Sequence, residues 1–597
     1  MCGICGELRL DGTSPDQQTI QIMMARLERR GPDSAGHYLD SPVALGHRRL
    51  AVIDLSERSN QPLIDRELGL VLVFNGTIYN YPELKQQLIT LGYRFFSDGD
   101  SEVILKAYAH WGEDCPRYLH GMFAFAIWDT KARTLFLARD RMGIKPLYYS
   151  QTRESLRFAS TSQALLAAGG VDTRFDPVAL HHHLSLHAVV PAPRTLLRGL
   201  RKLAPGHSLT IGSDGRRHLR RYWQLVCPEQ VASLTEWEWA EAVREALIRA
   251  VKRRRTIADV PVGVLLSGGL DSSLLVALLA AAGGSDLFTF SVGFEDHPHE
   301  KGSEFEYSDQ VASLYGTRHQ RFSIPNDEVL ARLPEAVDNM AEPMVGQDAV
   351  AFYLLGERVA REVKVVQSGQ GADEVFGGYF WYPQMQAAAG SDIERFRPLY
   401  FDRSHEELQE TVTAAYHGPD YTTPRVAEGL KAMRMDSFLN RVLAFDVTTL
   451  IVDDPVKRVD NMTMAWGLEA RVPFLDHELV ELAIRIPPDI KLKSGGKHLL
   501  KLIARGLLPD SVIDRPKGYF PVPALKFIRG EVLEFVRGVL DSDASRERGL
   551  LERRTIDRLL QHPEQHHTPI LGSKLWHVAL LEFWLQRNVD AAWRLSL

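Results

Sequence analysis

The chain has few cysteines, no long hydrophobic run and no large excess of charge of one sign. Its 597 residues include only four cysteines, too few for a disulfide framework, which favours a reducing cytoplasm. With 70 basic and 76 acidic residues, the net charge of −6 gives no electrostatic indication of DNA or RNA binding. The longest apolar run, 274–282, is too short to cross a bilayer, and the N-terminal residues lack the basic and apolar regions of a secretory signal. We therefore expect a cytoplasmic protein without nucleic-acid or membrane partners.

The first 170 residues have the character of a β-rich region. Short β-prone runs bounded by turn residues predict strands at 70–74, 123–128 and 134–138. A stretch with apolar residues at helical spacing predicts a helix over 101–111. We expect these strands to pair antiparallel.

After about residue 225 the pattern changes to strands that alternate with helices. The predicted elements are a helix at 234–255, strands at 260–266, 288–294 and 363–367, a helix that begins at Ser272 and a helix at 305–315. From about residue 385 the pattern is mostly helical. The alternation predicts a parallel sheet covered by helices on both faces. The basic run 252–255 ends a predicted helix, where cations complement the negative end of the helix dipole.

Cys2 is a candidate nucleophile because of its place in the chain. Removal of Met1 would give Cys2 both a thiol and a free α-amine, and such an amine has a pKa of about 7.7–8.0. An amine next to its own nucleophile can act as the base that activates it. The alternative is a small buried cysteine. Gly3 and Gly6 favour the functional interpretation because they permit close backbone approach.

Three other positions offer groups that complement a nucleophile. Asn75-Gly76 is predicted to end a strand, where the amide and the N–H could face a developing oxyanion. Arg49 could hold a substrate carboxylate and Asp100 a substrate ammonium group. The structural alternatives are a plain turn at Asn75-Gly76, a surface ion pair at Arg49 and a helix N-cap at Asp100.

A second group of candidate residues lies between the strand and the helix near residue 267. The loop 267–273 reads SGGLDSS, and glycines at such a turn direct N–H groups and a helix N-terminus at an anion. Asp271 beside a phosphate site points to Mg²⁺ as the intervening cation. A second glycine loop, 368–374, follows the strand at 363–367, and two such loops fit a ligand site at a topological switch point. Among the lysines, Lys517 in a stiff turn is the stronger phosphate candidate, whereas Lys497 is interpreted as a solvated surface cation.

The motifs of both regions resemble those of known families. The N-terminal region resembles the class II glutamine amidotransferase domain through MCGICGELRLDG, RRGPDSAG, GHRRLAVIDLS, FNGTIYNY, SDGDSEVIL, GMFAFAIWD and LARDRMGIKPLYY. The remainder resembles the synthetase domain of asparagine synthetases, an ATP pyrophosphatase fold, through SGGLDSS, SGQGADEVFGGY, MTMAWGLEARVPFLDHELVE and RPKGYFPVP. This resemblance implies an N-terminal-nucleophile αββα sandwich over 1–220. It implies an α/β parallel-sheet domain with a helical C-terminal part over 230–597.

The resemblance also assigns roles to individual residues. The implied catalytic residues are Cys2, Asn75, Gly76 and Lys517. The implied glutamine site is Arg49, Leu50, Ala51, Val52, Ile53, Asn75, Gly76, Thr77 and Asp100. The implied ATP site is Leu266, Ser267, Gly268, Gly269, Asp271, Ser272, Ser273, Val292, Ser368 and Gly369. Asp271 and Asp373 are the implied metal-side carboxylates, and Gln370 lies on the acceptor side.

The implied reaction joins two chemistries. Cys2 releases ammonia from glutamine, ATP with Mg²⁺ adenylates an acceptor carboxylate, and ammonia reaching it through an internal channel displaces AMP to give a carboxamide. The substrates are then small molecules, and a homodimer is a further expectation. Less favoured interpretations are an inactive storage or regulatory relative and a cyclase with an idle N-terminal domain.

The chain departs from the family pattern at three positions, and two of these departures leave the acceptor open. Thr77 stands where the family commonly has Glu, so glutamine affinity is expected to depend more heavily on Asp100. Gln370 replaces a Glu, and Asn461 replaces an Arg, in segments that resemble the acceptor region. Aspartate is one acceptor. The other is N-acetylglutaminylglutamine, a dipeptide that has no free amine and is rich in amides.

Overall fold

The computed structural model describes residues 2–227, 234–283, 286–296, 301–515, 522, 525 and 527–590. The first 227 residues build two antiparallel sheets, and the residues from 234 onward build a parallel sheet surrounded by helices. All four cysteines are free thiols. In the described part of the chain, none of the helices combines the length and the apolar character needed to span a membrane.

The two N-terminal sheets each contain six strands. Their orders are β10-β8-β9-β1-β3-β2 and β12-β11-β7-β6-β5-β4. The strands are β1 (Gly3–Arg9), β2 (Ser34–Asp40), β3 (Val43–Arg49), β4 (Leu63–Asp65), β5 (Leu70–Ile78), β6 (Gly121–Asp129), β7 (Thr134–Arg139), β8 (Tyr148–Gln151), β9 (Ser155–Ala159), β10 (Arg201–Lys202), β11 (His207–Gly212) and β12 (Arg217–Arg221).

Helices cover the outer faces of both sheets. The helices are α1 (Gln17–Ala25), α2 (Tyr81–Thr90), α3 (Asp100–Trp111), α4 (Ser162–Ala167) and α5 (Pro177–Ser185). One core lies between the sheets and includes Ile4 of β1 and Val73 of β5. Helices α2 and α3 pack on the second sheet, whereas α1 and α4 pack on the first and join the large core that continues into the C-terminal part. This is the expected αββα sandwich.

The C-terminal sheet has five parallel strands in the order β15-β14-β13-β16-β17. Their bounds are β13 (Val262–Leu265), β14 (Phe288–Phe294), β15 (Arg318–Ile324), β16 (Val365–Gln367) and β17 (Glu469–Arg471). From β13 the chain proceeds to β14 on one side, and β16 later pairs on the other. The order therefore reverses beside β13, which creates the expected switch point at the carboxyl ends of β13 and β16.

The helices of this part cover the sheet and form the helical C-terminal region. They are α6 (Glu236–Thr256), α7 (Leu270–Ala281), α8 (Phe305–Tyr315), α9 (Asn326–Asp338), α10 (Asp348–Val359), α11 (Ala372–Phe376), α12 (Trp381–Ala387), α13 (Asp392–Tyr400), α14 (His405–Thr411), α15 (Thr422–Ala432), α16 (Phe438–Phe445), α17 (Lys457–Met464), α18 (His477–Ala483), α19 (Pro488–Leu492), α20 (His498–Ala504), α21 (Asp510–Ile513), α22 (Gly530–Leu540), α23 (Asp543–Arg548), α24 (Arg553–Gln561) and α25 (Lys574–Leu585).

The described residues also include short 3₁₀-helical and π-helical segments. The 3₁₀ segments are Glu28–Arg30, Glu57–Ser59, Gly112–Arg117, Ala414–Tyr416, Pro473–Leu475 and Lys493–Gly495, and the π-helical segments are Asp446–Leu450, Val452–Val456 and Gln586–Asp590.

Helix α6 shows how local sequence sets an element's ends. The Thr235 hydroxyl accepts a hydrogen bond from the Glu238 N–H, and the Glu238 carboxylate accepts one from the Thr235 N–H, so the helix begins with a capping box. The basic run ends the helix as predicted, but it also has a packing role. Arg254 is buried and its Nη1 atom lies 2.8 Å from Oδ2 of Asp476.

The predicted elements agree well with the structure, with one correction near the first site. The strands and helices expected at 123–128, 134–138, 288–294, 305–315 and 101–111 are present, and β6 pairs antiparallel with β7. The expectation that Asn75-Gly76 ends a strand is wrong. Strand β5 continues to Ile78, because Asn75 and Gly76 pair with residues of β6 as regular strand positions. The plain-turn alternative is therefore wrong too.

Candidate functional site

The predicted nucleophile lies at the buried start of the first strand. Cys2 directly precedes β1 and is 7% exposed. Its backbone N–H donates a hydrogen bond to Oδ1 of Asn75 at 3.0 Å, which ties the beginning of the chain to β5. Burial raises the pKa of the Cys2 thiol, while the N–H of Leu50 and the charge of Arg49 act in the opposite direction. Cys2, Leu50 and Asn75 therefore meet at one point.

Asn75 presents a donor that has no partner. Its Nδ2 atom is buried and makes no hydrogen bond to any of the described residues. An unpaired buried donor is costly, so this group is suited to a substrate oxygen that develops negative charge.

Gly76, the next residue, lies close to the backbone of β6, since a Cβ atom on Gly76 would lie 2.1 Å from the carbonyl oxygen of Met122. That position requires glycine.

Arg49 is buried and engaged by the loop that follows it. Its Nη1 atom donates to the Ser56 carbonyl at 2.9 Å and to Oδ1 of Asn60 at 2.8 Å. Its Nη2 atom donates to the carbonyls of Ile53 and Asp54. The surface ion-pair alternative is wrong, because the residue is 5% exposed and these partners are carbonyl and amide oxygens. A substrate carboxylate would have to share the guanidinium with these acceptors or replace some of them, so the role of Arg49 as the ligand of a substrate carboxylate stays a prediction.

The loop after Arg49 joins the first site to the C-terminal part. Ala51 is partly exposed. The apolar residues of the loop form a small core with Val365 of β16, and they are Leu50, Val52 and Ile53. This part of the predicted glutamine site therefore packs against the parallel sheet.

Asp100 is the first residue of α3, and its carboxylate faces β5. The helix N-cap is Gly99, so the N-cap alternative for Asp100 is wrong. Its Oδ2 atom accepts a hydrogen bond from the Ile78 N–H at 3.0 Å. Burial raises the pKa of Asp100 to about 7, even though this hydrogen bond opposes the shift. The carboxylate is therefore close to half protonated at neutral pH.

The second candidate site is a cavity of about 460 Å³ at the carboxyl ends of β13 and β16, separate from the residues around Cys2. We call it the second cavity. The residues predicted to bind ATP that line it are Leu266, Ser267, Gly269, Asp271, Ser272, Val292, Ser368 and Gly369. Gly268 and Ser273 belong to the same loop but do not line the cavity. The structure thus brings most of the predicted ATP site together.

The loop between β13 and α7 is shaped by short polar contacts. The Ser267 N–H donates to Oγ of Ser272 at 3.1 Å, and the two serine Oγ atoms lie 3.0 Å apart. Gly268 has a φ of +75°, and a Cβ atom there would lie 2.7 Å from the Ser308 nitrogen, so this position also requires glycine. The loop leaves the N-terminus of α7 facing the cavity, as an anion site requires.

Lys497 is a site residue that the sequence analysis interpreted wrongly. It is 8% exposed and lines the cavity, so the surface interpretation is wrong. Its Nζ atom lies 2.6 Å from Oδ2 of Asp271 and 2.7 Å from Oδ1 of Asp373. Burial alone would lower the pKa of Lys497, but the two carboxylates raise it above the ordinary lysine value. The lysine is therefore held as a cation between the two predicted metal-side residues.

The preferred lysine of the sequence analysis, Lys517, lies outside the described residues. Arg515, two positions earlier, lines the same cavity. Its Nη2 atom donates to Oε2 of Glu304 at 2.9 Å, and its guanidinium lies 4.6 Å from the centre of the Tyr307 ring. A fixed arginine therefore adds positive charge to this cavity, and its only signal in the sequence was its position directly before the Pro-Lys-Gly segment 516–518.

A third cavity, of about 610 Å³, adjoins the second one. Gln370 and Asp373 line both, so the second glycine loop forms the wall between them. Aromatic rings line much of the third cavity, including those of Trp381 and Trp576. Its acidic lining residues are Asp348, Asp373, Glu374, Asp402, Asp446 and Asp454. Among the described lining residues, Arg458 is the one arginine or lysine, and it is paired with Asp348 and Asp454.

Asn461 does not accompany Gln370 into this cavity. Its Oδ1 atom accepts a hydrogen bond from the Ala341 N–H at 2.8 Å, and the residue lines a different cavity of about 650 Å³ that Arg30 also borders. The structure therefore does not place Asn461 beside Gln370 in the third cavity, and a role of Asn461 toward the acceptor stays a prediction. Sequence proximity to an acceptor motif could not show which side of α17 the residue occupies.

Glu469 is a buried residue near the first site that the sequence analysis did not single out. Its Oε1 atom accepts a hydrogen bond from Oγ1 of Thr77 at 3.1 Å and one from Nε of Arg471. The signal in the sequence is weak: two charged residues at alternate positions of a short strand whose other member is apolar.

Comparisons with known proteins match the two parts of the chain to two domain families. The glutamine amidotransferase domain family model matches residues 1–223, and the asparagine synthase family model matches residues 242–586. The chain belongs to the asparagine synthase family.

Relatives in this family align over nearly the whole chain. Asparagine synthetase (glutamine-hydrolyzing) 1 of Bacillus subtilis (strain 168) is 33% identical over 99% of this chain and 97% of its own. Asparagine synthetase (glutamine-hydrolyzing) 3 of the same organism is 32% identical over 94% of this chain and 93% of its own. A putative asparagine synthetase (glutamine-hydrolyzing) of Mycobacterium bovis is 33% identical over 98% and 95%. The chain is thus a glutamine-dependent amidotransferase of the asparagine synthetase type, a ligase that forms C–N bonds.

In this asparagine synthase family member a buried charge cluster joins the two sheet systems. Asp460 of α17 accepts hydrogen bonds from Nη1 of Arg30 at 3.0 Å and from Nζ of Lys145 at 3.1 Å. Arg30 also donates to the Cys2 carbonyl at 3.3 Å. Burial alone would raise the pKa of Asp460, but the two cations lower it. The cluster therefore connects the start of the chain with the C-terminal helices.

Proposed function

We propose that the chain hydrolyses glutamine at Cys2 and transfers the ammonia to an ATP-activated acceptor that is an N-acylated dipeptide, such as N-acetylglutaminylglutamine. The amidotransferase class follows from the family. The acceptor is the new element, and the observation that carries it is the large third cavity with its acidic lining. This cavity shares Gln370 with the second cavity, which we propose binds ATP and call the nucleotide cavity.

The first half-reaction would use the groups gathered at the start of the chain. Cys2 would attack the side-chain amide of glutamine, and its α-amine, once Met1 is removed, would accept the thiol proton. The unpaired Nδ2 of Asn75 and the N–H of Gly76 would stabilise the oxyanion. Arg49 and Asp100 would bind the α-carboxylate and the α-ammonium group. The buried contact between Cys2 and Asn75 supports this arrangement.

The second half-reaction would use the loop after β13. The N–H groups and hydroxyls of residues 267–273 would bind the phosphates of ATP. Asp271 and Asp373 converge on a single lysine ammonium, so their oxygens suit a cation, and they would hold Mg²⁺. When bound, Mg²⁺ would neutralise phosphate charge as pyrophosphate leaves. Lys497, and Lys517 outside the described residues, would add positive charge there.

The third cavity supports an acceptor larger than a single amino acid. Its volume of about 610 Å³ is in the range of pockets that hold drug-sized ligands. Aspartate would bring two carboxylates and one ammonium group. The acidic side chains could bind the ammonium group, but among the described lining residues the one arginine that could bind the second carboxylate already has two carboxylate partners. Like charges repel strongly when they are shielded from water. An N-acylated dipeptide brings one carboxylate and several amides, which acidic and aromatic side chains can bind.

Gln370 supports the same acceptor by its place in the wall between the two cavities. The acceptor carboxylate must meet the α-phosphate at this wall, because the two cavities adjoin there. An amide at this position adds no negative charge to a site that already has many. Aspartate remains the second candidate, because the relatives that align over nearly the whole chain are named asparagine synthetases.

An acceptor screen tests the proposal. Pyrophosphate release is measured with saturating glutamine, ATP and Mg²⁺, and with aspartate or N-acetylglutaminylglutamine as the acceptor. We expect the dipeptide to be turned over and aspartate to be a poor substrate. Efficient turnover of aspartate with no response to the dipeptide would reject the dipeptide and support the second candidate.

We also propose the bounds of the functional units, the kind of substrate, the cellular location and the assembly. The two functional units are 1–220 and 230–597. The substrates are small molecules, the cellular location is the cytoplasm, and the assembly is a homodimer.

A further inference from the structure

A carboxylate from the C-terminal part reaches the proposed glutamine site. Glu469 lies on the edge strand β17, and Thr77 of β5 donates a hydrogen bond to it at 3.1 Å across 392 positions of sequence. Both residues are shielded from solvent, with 0% of Glu469 and 1% of Thr77 exposed. The contact is therefore part of the core between the two sheet systems.

Glu469 and Asp100 approach the same short stretch of β5. Glu469 accepts from the side chain of Thr77, and Asp100 accepts from the N–H of Ile78, the next residue. Asn75, which contacts Cys2, is two positions before Thr77 on the same strand. Two carboxylates thus flank the end of β5, next to the predicted nucleophile.

The orientation of Glu469 is fixed by Arg471 on the same face of β17. Arg471 is fully buried, and its Nε atom donates to Oε1 of Glu469. Its Nη1 atom donates to the carbonyls of Arg254 and Ile257 at 2.7 Å each, so the guanidinium is held by the end of α6. The glutamate is therefore preorganised, as a ligand-binding group should be.

The charges near the end of β5 explain why binding the ammonium group of glutamine would need a second carboxylate beside Asp100. Glutamine brings an α-ammonium group, and a buried ammonium requires negative charge beside it. Burial raises the pKa of Asp100 to about 7, so Asp100 alone supplies only part of a charge at neutral pH. Burial alone would raise the pKa of Glu469 too, but the positive charges around it, with Arg471 the strongest, outweigh this effect and lower the pKa to about 2.

We propose that Glu469 and Asp100 together bind the α-ammonium group of glutamine. The C-terminal part would then complete the glutamine site, and a residue far along the chain would set the selectivity of the first half-reaction. This inference rests on the proposed hydrolysis of glutamine at Cys2.

Glutamine and 4-carbamoylbutanoate, which lacks the α-amine, distinguish a binding role from a structural one. Glutaminase kcat/KM is measured for both amides with the full chain and with Glu469→Gln. We expect the variant to lose about tenfold or more in kcat/KM for glutamine, because a hydrogen bond to a charged group is lost. The value for 4-carbamoylbutanoate should change little, so the ratio of the two values falls.

Matched variants separate selectivity from folding. Glu342→Gln is the matched control. Glu342 is another buried carboxylate of the C-terminal part that contacts the N-terminal part, because it accepts a hydrogen bond from the Tyr148 hydroxyl at 3.1 Å. This variant should leave the ratio unchanged. Thr77→Glu in the Glu469→Gln background should restore part of the ratio. If Glu469→Gln does not fold, Thr77→Val removes the hydroxyl that donates to Glu469 and should also lower the ratio.

Two results would overturn the inference without touching the proposed function. One is an equal loss for both amides, and the other is an unchanged ratio in foldable variants that still hydrolyse glutamine. Absence of glutaminase activity in the unmodified protein would instead reject the proposed function itself.

Discussion

The Nζ atom of Lys497 lies 2.6 Å from the Oδ2 atom of Asp271, a residue of the predicted phosphate loop, in a cavity that both residues line. We expect Lys497→Ala to lower pyrophosphate release by about a hundredfold or more, because preorganised charge that stabilises a transition state has effects of that size. Glutaminase activity should remain. The two activities are measured on the same preparation.

Lys501 provides the matched control for this lysine. It lines the same cavity, but its Nζ atom donates to the Ser494 carbonyl rather than to a carboxylate of the loops. Lys501→Ala should therefore have a much smaller effect on pyrophosphate release. Equal losses in the two variants would contradict a specific role for Lys497.

Cys2→Ala should abolish the use of glutamine and preserve synthesis from free ammonia. Cys2 lies beside Asn75, whereas the nucleotide cavity is lined by residues from 265 onward. Synthesis is followed by AMP formation with glutamine and with ammonium chloride as alternative donors. Wild-type glutamine hydrolysis by the variant would show that the nucleophile is misassigned, as would Met1 retained in fully active protein.

Gln370→Glu should weaken the use of the dipeptide acceptor. The change adds a negative charge to the wall between the two cavities, and an unmatched buried charge is costly, so we expect a loss of about tenfold or more in kcat/KM for N-acetylglutaminylglutamine. Asn461→Arg is the control, because Asn461 lines another cavity and should leave the preference between acceptors unchanged. A change of acceptor preference in the control alone would contradict the assignment of the cavities.

The pKa of Asp100 predicts how glutamine binding depends on pH. Because burial raises this pKa to about 7, protonation below pH 7 removes the negative charge, and kcat/KM for glutamine should fall there. The charge of Glu469 also raises the pKa of Asp100, so Glu469→Gln should move the inflection to lower pH. Profiles of kcat/KM against pH test both signs. An inflection that moves to higher pH in the variant would refute the assignment.

Asp460→Asn should destabilise the protein strongly. The substitution leaves Lys145 without its carboxylate partner in a fully buried position, and removal of one partner of a buried pair costs about 3–5 kcal/mol. The shift of the urea unfolding midpoint measures the effect. A second change, Lys145→Met, should recover part of the lost free energy of unfolding. If the losses of the two single variants simply add in the double variant, the pair is not coupled.

Much of the fold could be predicted from the sequence because its signals are local. Apolar periodicity located β14 and α8 correctly, and glycines after apolar runs located both loops of the nucleotide cavity. The prediction that Asn75-Gly76 ends a strand failed for a physical reason. The dipeptide favours turns when isolated, but here pairing with β6 holds both residues in a continuous strand.

The rest of the site depended on contacts between distant segments. Lys497 is an ordinary lysine in sequence, and only the packing of α20 against α6 and α7 places it between two carboxylates. Glu469 reaches Thr77 because the edge strand β17 lies against the N-terminal sheets. Whether Asn461 and Gln370 share a cavity depends on which side of α17 the asparagine occupies, and residue types do not reveal that.

The Lys145–Asp460 contact also bears on whether the two halves can be exchanged between relatives. A chimera that took its N-terminal half from another protein would bury Asp460 against whatever residues stood at positions 30 and 145, and any partner that was not a cation would leave the carboxylate uncompensated. The halves are therefore tied by a charge match as well as by shape. A functional exchange would have to move Arg30, Lys145 and Asp460 as one set, which makes this triad the first place to inspect in a recombined enzyme.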